Sequence, residues 1–220
     1  MFRFFQVNRD IFLRTLCLVA VTLFFTSAGA SQGEIILAVN TLLMQLFTLF
    51  SYVMDGFAYA GEALSGRYIG ARNREAFTDT VRHLFGWGAV IAVLFTLVYA
   101  LGGNAFLGLL TDDKEVIAVA DTYFYWALAV PAVGIAAFIW DGIFIGATAT
   151  RGMLLSMAAA AVSFFILYYG LHPVLANHAL WLAFLTYLLM RGVVQTGLSR
   201  EVIRRHFPAR RNLLGVRGRL

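Results

Sequence analysis

Three carboxylates sit inside stretches of this chain that are otherwise apolar enough for lipid: Asp55, Glu62 and Asp141. A charge in hydrocarbon is costly, so each marks a place where a proton, a cation or a partner charge is handled. Asp55 and Glu62 share one side of a helix, two turns apart. They belong to a longer line, Thr41, Gln45, Thr48, Tyr52, Asp55, Tyr59 and Glu62, which advances by alternating steps of four and three and forms one stripe. Hydroxyls, an amide and carboxylates in a row suit a cation or proton path, because their oxygens replace a hydration shell. The plainer alternative is that they bond to neighbouring helices and glue the bundle. For Asp55 the reading favours function. For the Thr, Gln and Tyr positions, and for Glu62, which Arg67 is placed to pair, the two readings stand level.

Asp141 lies in Trp140-Asp141-Gly142-Ile143-Phe144-Ile145-Gly146-Ala147 and is expected to face the same interior as Asp55. Pro131 and Gly134 precede it on the same span. A proline removes one helix hydrogen bond and bends the helix, so this pair is a candidate hinge, with ordinary packing as the alternative. Arg191 is the one cation well inside the last span. Pairing with a bundle carboxylate and snorkelling to the surface are both open, and the reading favours snorkelling.

The elements that carry these residues follow from composition. The 220 residues are 60% hydrophobic and 13% charged, with a mean hydropathy of +0.77. Long continuous apolar runs predict an all-α, polytopic membrane protein and exclude a β-barrel, whose strands alternate. Six spans are expected, at about 11–28, 39–70, 84–101, 122–147, 153–170 and 179–198, each near the about 20 residues needed to cross a bilayer. A basic tail, 206–220, follows. Arginines cluster before the first span, between the second and third, between the fourth and fifth, and after the sixth. The positive-inside rule then places both termini in the cytoplasm of an inner (plasma) membrane protein. The net charge of +5 is therefore a topology signal, and nucleic acid is not an expected partner. Ala28-Gly29-Ala30 before Ser31 imitates a secretory cleavage site, but retention of the first span gives the even topology.

Cys17 stands alone and reads as a core thiol. His83 and Trp87 read as interfacial, and His172 and His178 flank an outer loop without the spacing of a metal site. No phosphate loop, nucleophile elbow, dinucleotide fingerprint or Cys/His cluster is present, so no enzyme, cofactor or metal is expected. Energy for any work must come from an ion gradient. Two segments echo one another: Asp55-Gly56-Phe57 and Asp141-Gly142-Ile143-Phe144 each run on to Ile-Gly-Ala, at unequal intervals.

Asp55-Gly56-Phe57-Ala58-Tyr59-Ala60-Gly61-Glu62-Ala63-Leu64-Ser65-Gly66, Asp141-Gly142-Ile143-Phe144-Ile145-Gly146-Ala147-Thr148 and Asn8-Arg9-Asp10-Ile11-Phe12-Leu13-Arg14 together resemble the multidrug and toxic compound extrusion (MATE) family, DinF-like branch. The likeness is to the C-terminal six-helix half of a twelve-span transporter. It implies one lobe of a proton- or sodium-coupled efflux antiporter for cationic or amphipathic small molecules. Asp141 would line the second-lobe cavity, with Asp55 and Glu62 as acidic positions of the branch. The resemblance also implies a first-lobe partner or a homodimer. A non-transporting membrane fragment or interaction partner, and a flippase for lipid-linked precursors, are the alternatives. The flippase would favour Arg and Lys in the cavity, whereas the interior charges are expected to be mainly acidic.

Overall fold

The computed structural model describes residues 2–208, which form six long helices joined by short turns: α1 (Phe2–Ala30), α2 (Glu34–Gly70), α3 (Arg74–Leu110), α4 (Lys114–Gly146), α5 (Thr150–Leu175) and α6 (Asn177–His206). All six are long and apolar enough to cross a membrane. The chain is thus all-α and polytopic, with no strand among the described residues. Of the basic tail, residues 209–220 lie outside the described residues.

The helices run past the apolar windows because caps, not hydropathy, decide where a helix begins. Asn73 accepts from the Ala76 amide at 3.0 Å and starts α3 ten residues before the predicted span. Asp113 accepts from the amides of Glu115 and Val116 at 2.9 and 3.3 Å and starts α4 at Lys114. The Ile-Gly-Ala echo is a pair of matching helix ends. After Ile69-Gly70-Ala71, Arg72 takes a left-handed φ of 52° and the Asn73 amide bonds the Tyr68 carbonyl at 2.9 Å. After Ile145-Gly146-Ala147, Thr148 takes φ 53° and the Ala149 amide bonds the Phe144 carbonyl at 2.8 Å. Both are Schellman closures, in which the last carbonyls of a helix are capped by the turning chain.

α4 and α6 form the centre of the bundle, and α2 crosses α4 closely. A Cβ at Gly142 would overlap the Ala58 carbonyl, and one at Gly146 would overlap Ser65 and the Glu62 carbonyl. Small residues at such a crossing let helix backbones approach, the usual way membrane helices gain contact without a hydrophobic drive. Gly192 does the same for α6 against α4, where a Cβ would stand 2.8 Å from that of Ala136. α4 continues unbroken through Pro131, and both Pro131 and Gly134 are buried.

α1 lies at the edge, with Phe12, Leu16, Val19 and Leu23 exposed. Phe24 holds it against Phe164, Phe165 and Tyr168 of α5, and Phe25 against Trp181 and Phe184 of α6. Near the start of α1 the buried Asp10 accepts from Thr150 Oγ1 at 3.4 Å, setting a carboxylate at the N-terminus of α5. Near the opposite end Asn40 and Asn177 exchange amide hydrogen bonds at 2.8 and 2.9 Å, and Trp181 Nε1 donates to Asn40 at 2.8 Å. All three are buried, so this network ties α2 to α6.

Candidate functional site

α2 turns its two faces as the spacing demands. Leu42, Leu43, Leu46, Phe50 and Met54 are buried in the bundle. The polar stripe points out of it: Thr41, Gln45, Tyr52 and Tyr59 are exposed, and Thr48, Asp55 and Glu62 half-buried. Tyr52 and Tyr59 each keep 71% of their surface. Thr41 and Thr48 donate to the carbonyls of Leu37 and Met44, both at 2.8 Å, so these hydroxyls are satisfied by their own helix. An open groove of about 550 Å³ runs beside Thr41 and Gln45 up to Leu110 and Thr111. A second, of about 410 Å³, lies between α2 and α3 and is lined by Phe57, Tyr68, Asp79, His83 and Trp87. No ion pair joins Glu62 to Arg67 among the described residues; the Arg67 guanidinium lies over the Tyr68 ring.

Asp141 does not share that outward face. It is buried between α1, α4 and α6, and Asp55 sits at the rim of the same region, within electrostatic reach of Asp141 and Arg191. The expectation of one common interior is corrected for a packing reason: the apolar face of α2 is needed to close the bundle, which leaves its polar face outside.

Three donors converge on the Asp141 carboxylate. Arg14 Nη2 and Arg191 Nη2 both reach Oδ2, the latter at 2.6 Å, and Gln195 Nε2 donates to Oδ1 at 2.6 Å. Arg191 does not snorkel. Its side chain is 7% exposed and its guanidinium lies 5.9 Å from the Phe138 ring centroid and 5.5 Å from that of Tyr187. A buried arginine with a carboxylate in reach is held by that pair, since leaving either ion alone costs more than desolvating both. The Arg14 side chain keeps 21% of its surface. The cluster therefore holds two cations and one carboxylate, which corrects the expectation of mainly acidic interior charge. Both guanidiniums are already tied to Asp141, so they do not form an open phosphate cradle.

Sequence reasoning missed Arg14, Arg191 and Gln195 as a unit. The signal was present: Arg191 and Gln195 are four residues apart on one helix face inside an apolar span. Pro131 and Gly134 line the α4 core rather than a cavity; a Cβ on Gly134 would make only ordinary contacts, the nearest at 3.5 Å to Phe50. His178 is a fastener between α6 and α4, with Nδ1 accepting from Trp126 Nε1 at 3.1 Å and standing 3.0 Å from the Tyr125 hydroxyl.

Six membrane-spanning helices, a polar outer stripe and a buried ion cluster define a polytopic helical lobe of the kind that membrane transporters are built from. The MatE family model matches residues 11–174, and the chain belongs to that family. It is 42% identical over 199 residues to the DNA damage-inducible protein F of Escherichia coli (strain K12), covering 90% of this chain and 43% of that protein. It is 26% identical over 133 residues to Protein DETOXIFICATION 45, chloroplastic, of Arabidopsis thaliana, covering 60% of this chain and 24% of that one. The crystal structure of a MATE in the bent conformation superposes with a TM-score of 0.74 at 17% identity, over 96% of this chain and 46% of that one. The bent form of the Vibrio cholerae MATE transporter VcmN gives 0.73 at 21% identity, over 93% and 47%. The chain thus spans less than half the length of each of these proteins.

Proposed function

We propose that this lobe is the second half of an ion-coupled efflux antiporter, and that its α2 stripe faces the cavity between two lobes. The observation that carries this reading is the outward polar stripe. Carboxylates and an amide have no place against hydrocarbon, so a second lobe or water must cover them. The family membership and the half-length match to its members support the same arrangement. The partner is a separately made first lobe, a second copy, or the remainder of a longer product.

In this reading the cargo is an amphipathic or cationic small molecule, and the coupling ion, H⁺ or Na⁺, binds at Asp55. Asp55 is the half-buried stripe carboxylate that also senses the buried cluster. Glu62, Gln45, Thr48, Tyr52 and Tyr59 line the path, and α4 flexes about Pro131 and Gly134. Both termini and the arginine-rich turns face the cytoplasm.

The test is efflux of a fluorescent organic cation from liposomes that hold the paired assembly. An imposed proton gradient or an imposed sodium gradient should drive it, and the one that does names the coupling ion. Asp55→Asn should reduce driven efflux to the rate of protein-free liposomes while the assembly stays intact. Full driven transport in that variant would overturn the assignment.

A further inference from the structure

We propose that Arg14 is a tethered counter-cation, holding on Asp141 the place that a monovalent organic cation takes when cargo binds, and that its displacement unlatches α1 from α4. The inference rests on the cationic-cargo reading and adds the residue with which cargo competes.

The two arginines of the cluster are not equivalent. Arg191 is enclosed, stacked on Phe138 and Tyr187, and belongs to a central helix. Arg14 is three times as exposed and rides on the helix at the edge of the bundle. When Arg14 leaves, Asp141 keeps the Arg191 and Gln195 bonds, so no carboxylate is orphaned. Both guanidiniums donate to the same oxygen, Oδ2, which sets two like charges side by side. Nε of Arg14 and Nε of Arg191 are both buried without a hydrogen-bond partner, so neither guanidinium is fully satisfied, and it is exposure and the edge helix that single out Arg14. Docked Arg14 is thus the removable cation of the cluster.

Charge fixes what replaces it. With Arg14 docked the cluster carries two cations against Asp141, with Asp55 as the nearby second anion. Exchange for a guest of one positive charge leaves the total unchanged. A neutral guest lowers it by one and an anion by two, each leaving Asp55 and Asp141 with less positive charge beside them than Arg14 had supplied. Release of Arg14 also removes the polar tie between α1 and α4, leaving α1 on the Asp10–Thr150 bond and its aromatic contacts.

The experiment is equilibrium dialysis of tetraphenylphosphonium against the full chain in lipid nanodiscs, with the isosteric anion tetraphenylborate as control. Arg14→Gln should bind the cation about tenfold more tightly than the unaltered chain, a gain of about 1.4 kcal/mol. Arg14→Lys should keep the original affinity, and adding Asp141→Asn to Arg14→Gln should erase the gain. A second measurement leaves Arg14 in place: spin labels at Leu13 and Ile145, in a Cys17→Ser background, should move apart at saturating tetraphenylphosphonium. Equal cation affinity with and without Arg14, a matching gain for tetraphenylborate, or a label distance unchanged by bound cation would overturn the proposal. Cation binding to the unaltered chain that ignores Arg14 would leave the cargo reading standing. Absence of cation binding in every variant would remove both.

Discussion

Asp141 is bonded on both oxygens by groups from two other helices, which makes it a structural residue before it is anything else. Asp141→Asn removes the carboxylate that the two guanidiniums share and leaves the buried Arg191 cation without its counter-charge, beside the half-buried Arg14. Breaking a buried pair from one side costs about 3–5 kcal/mol. Chemical unfolding in detergent micelles, followed by helical circular dichroism, should show a loss of that size for Asp141→Asn and a much smaller one for Asp55→Asn, whose side chain is half solvated. A transport defect in Asp141→Asn alone would therefore carry a folding loss with it, and Asp55→Asn is the cleaner test of the proposed coupling role. At this scale the sequence exposed the carboxylates and not their partners. Apolar context makes any charge conspicuous, which is how Asp55, Glu62 and Asp141 stood out. Which arginine meets which carboxylate depends on tertiary contacts 127 and 50 residues apart in the chain, and no local spacing encodes that. Arg14 looked like one more topology charge because its distance from the start of the helix is the same whether it points to water or to α4.

Helix boundaries and helix crossings are decided by residues that hydropathy does not weigh. Asn73 and Asp113 extend α3 and α4 by capping, and the two Schellman ends close α2 and α4 with the same hydrogen bonds. The repeated Ile-Gly-Ala was visible in the sequence; its meaning was not, because a left-handed residue at Arg72 or Thr148 has no side-chain signature. The glycines of α4 separate into two kinds that sequence cannot tell apart. Gly142 is in backbone contact with Ala58 of α2, so Gly142→Ala forces the helices apart. Gly134 has room for a methyl group, and Gly134→Ala exchanges a poor helix former for the best one, a gain of about 0.8–1 kcal/mol in a helix interior. Thermal unfolding should therefore move in opposite directions for the two variants, down for Gly142→Ala and up for Gly134→Ala. If Gly134 is also the flexing point of α4, its alanine variant will be more stable and slower in efflux. An unchanged stability in Gly142→Ala would contradict the close α2–α4 crossing, and a fall in Gly134→Ala would contradict the room for a methyl group there.

The lobe as a whole presents to its surroundings one face that suits lipid and one that does not. α5 shows Val162 and Ile166 to the outside, as a lipid-facing helix should, while α2 shows Tyr52, Asp55, Tyr59 and Glu62. The sequence announced the stripe, and the structure supplied the fact that the stripe lies on the outer surface, which is where the case for a second lobe comes from. Cysteines placed singly at Tyr52, Tyr59 and Ile166, in a Cys17→Ser background, read this directly in native membranes. A maleimide attacks only the thiolate, which forms in water and not in hydrocarbon, so a membrane-soluble maleimide should leave Ile166→Cys largely unlabelled and should label the two stripe positions where an aqueous cavity stands over them. A charged, water-soluble maleimide should show the same order, Tyr52→Cys and Tyr59→Cys above Ile166→Cys. Intact mass of the product, with whatever copurifies in stoichiometric amount, then identifies the cover as a longer chain, a separate first lobe or a second copy. Equally poor labelling of all three positions by the membrane-soluble reagent, with no partner by mass, would mean that the stripe lies in lipid alone. That outcome would remove the inter-lobe cavity, and with it the transport role assigned to α2.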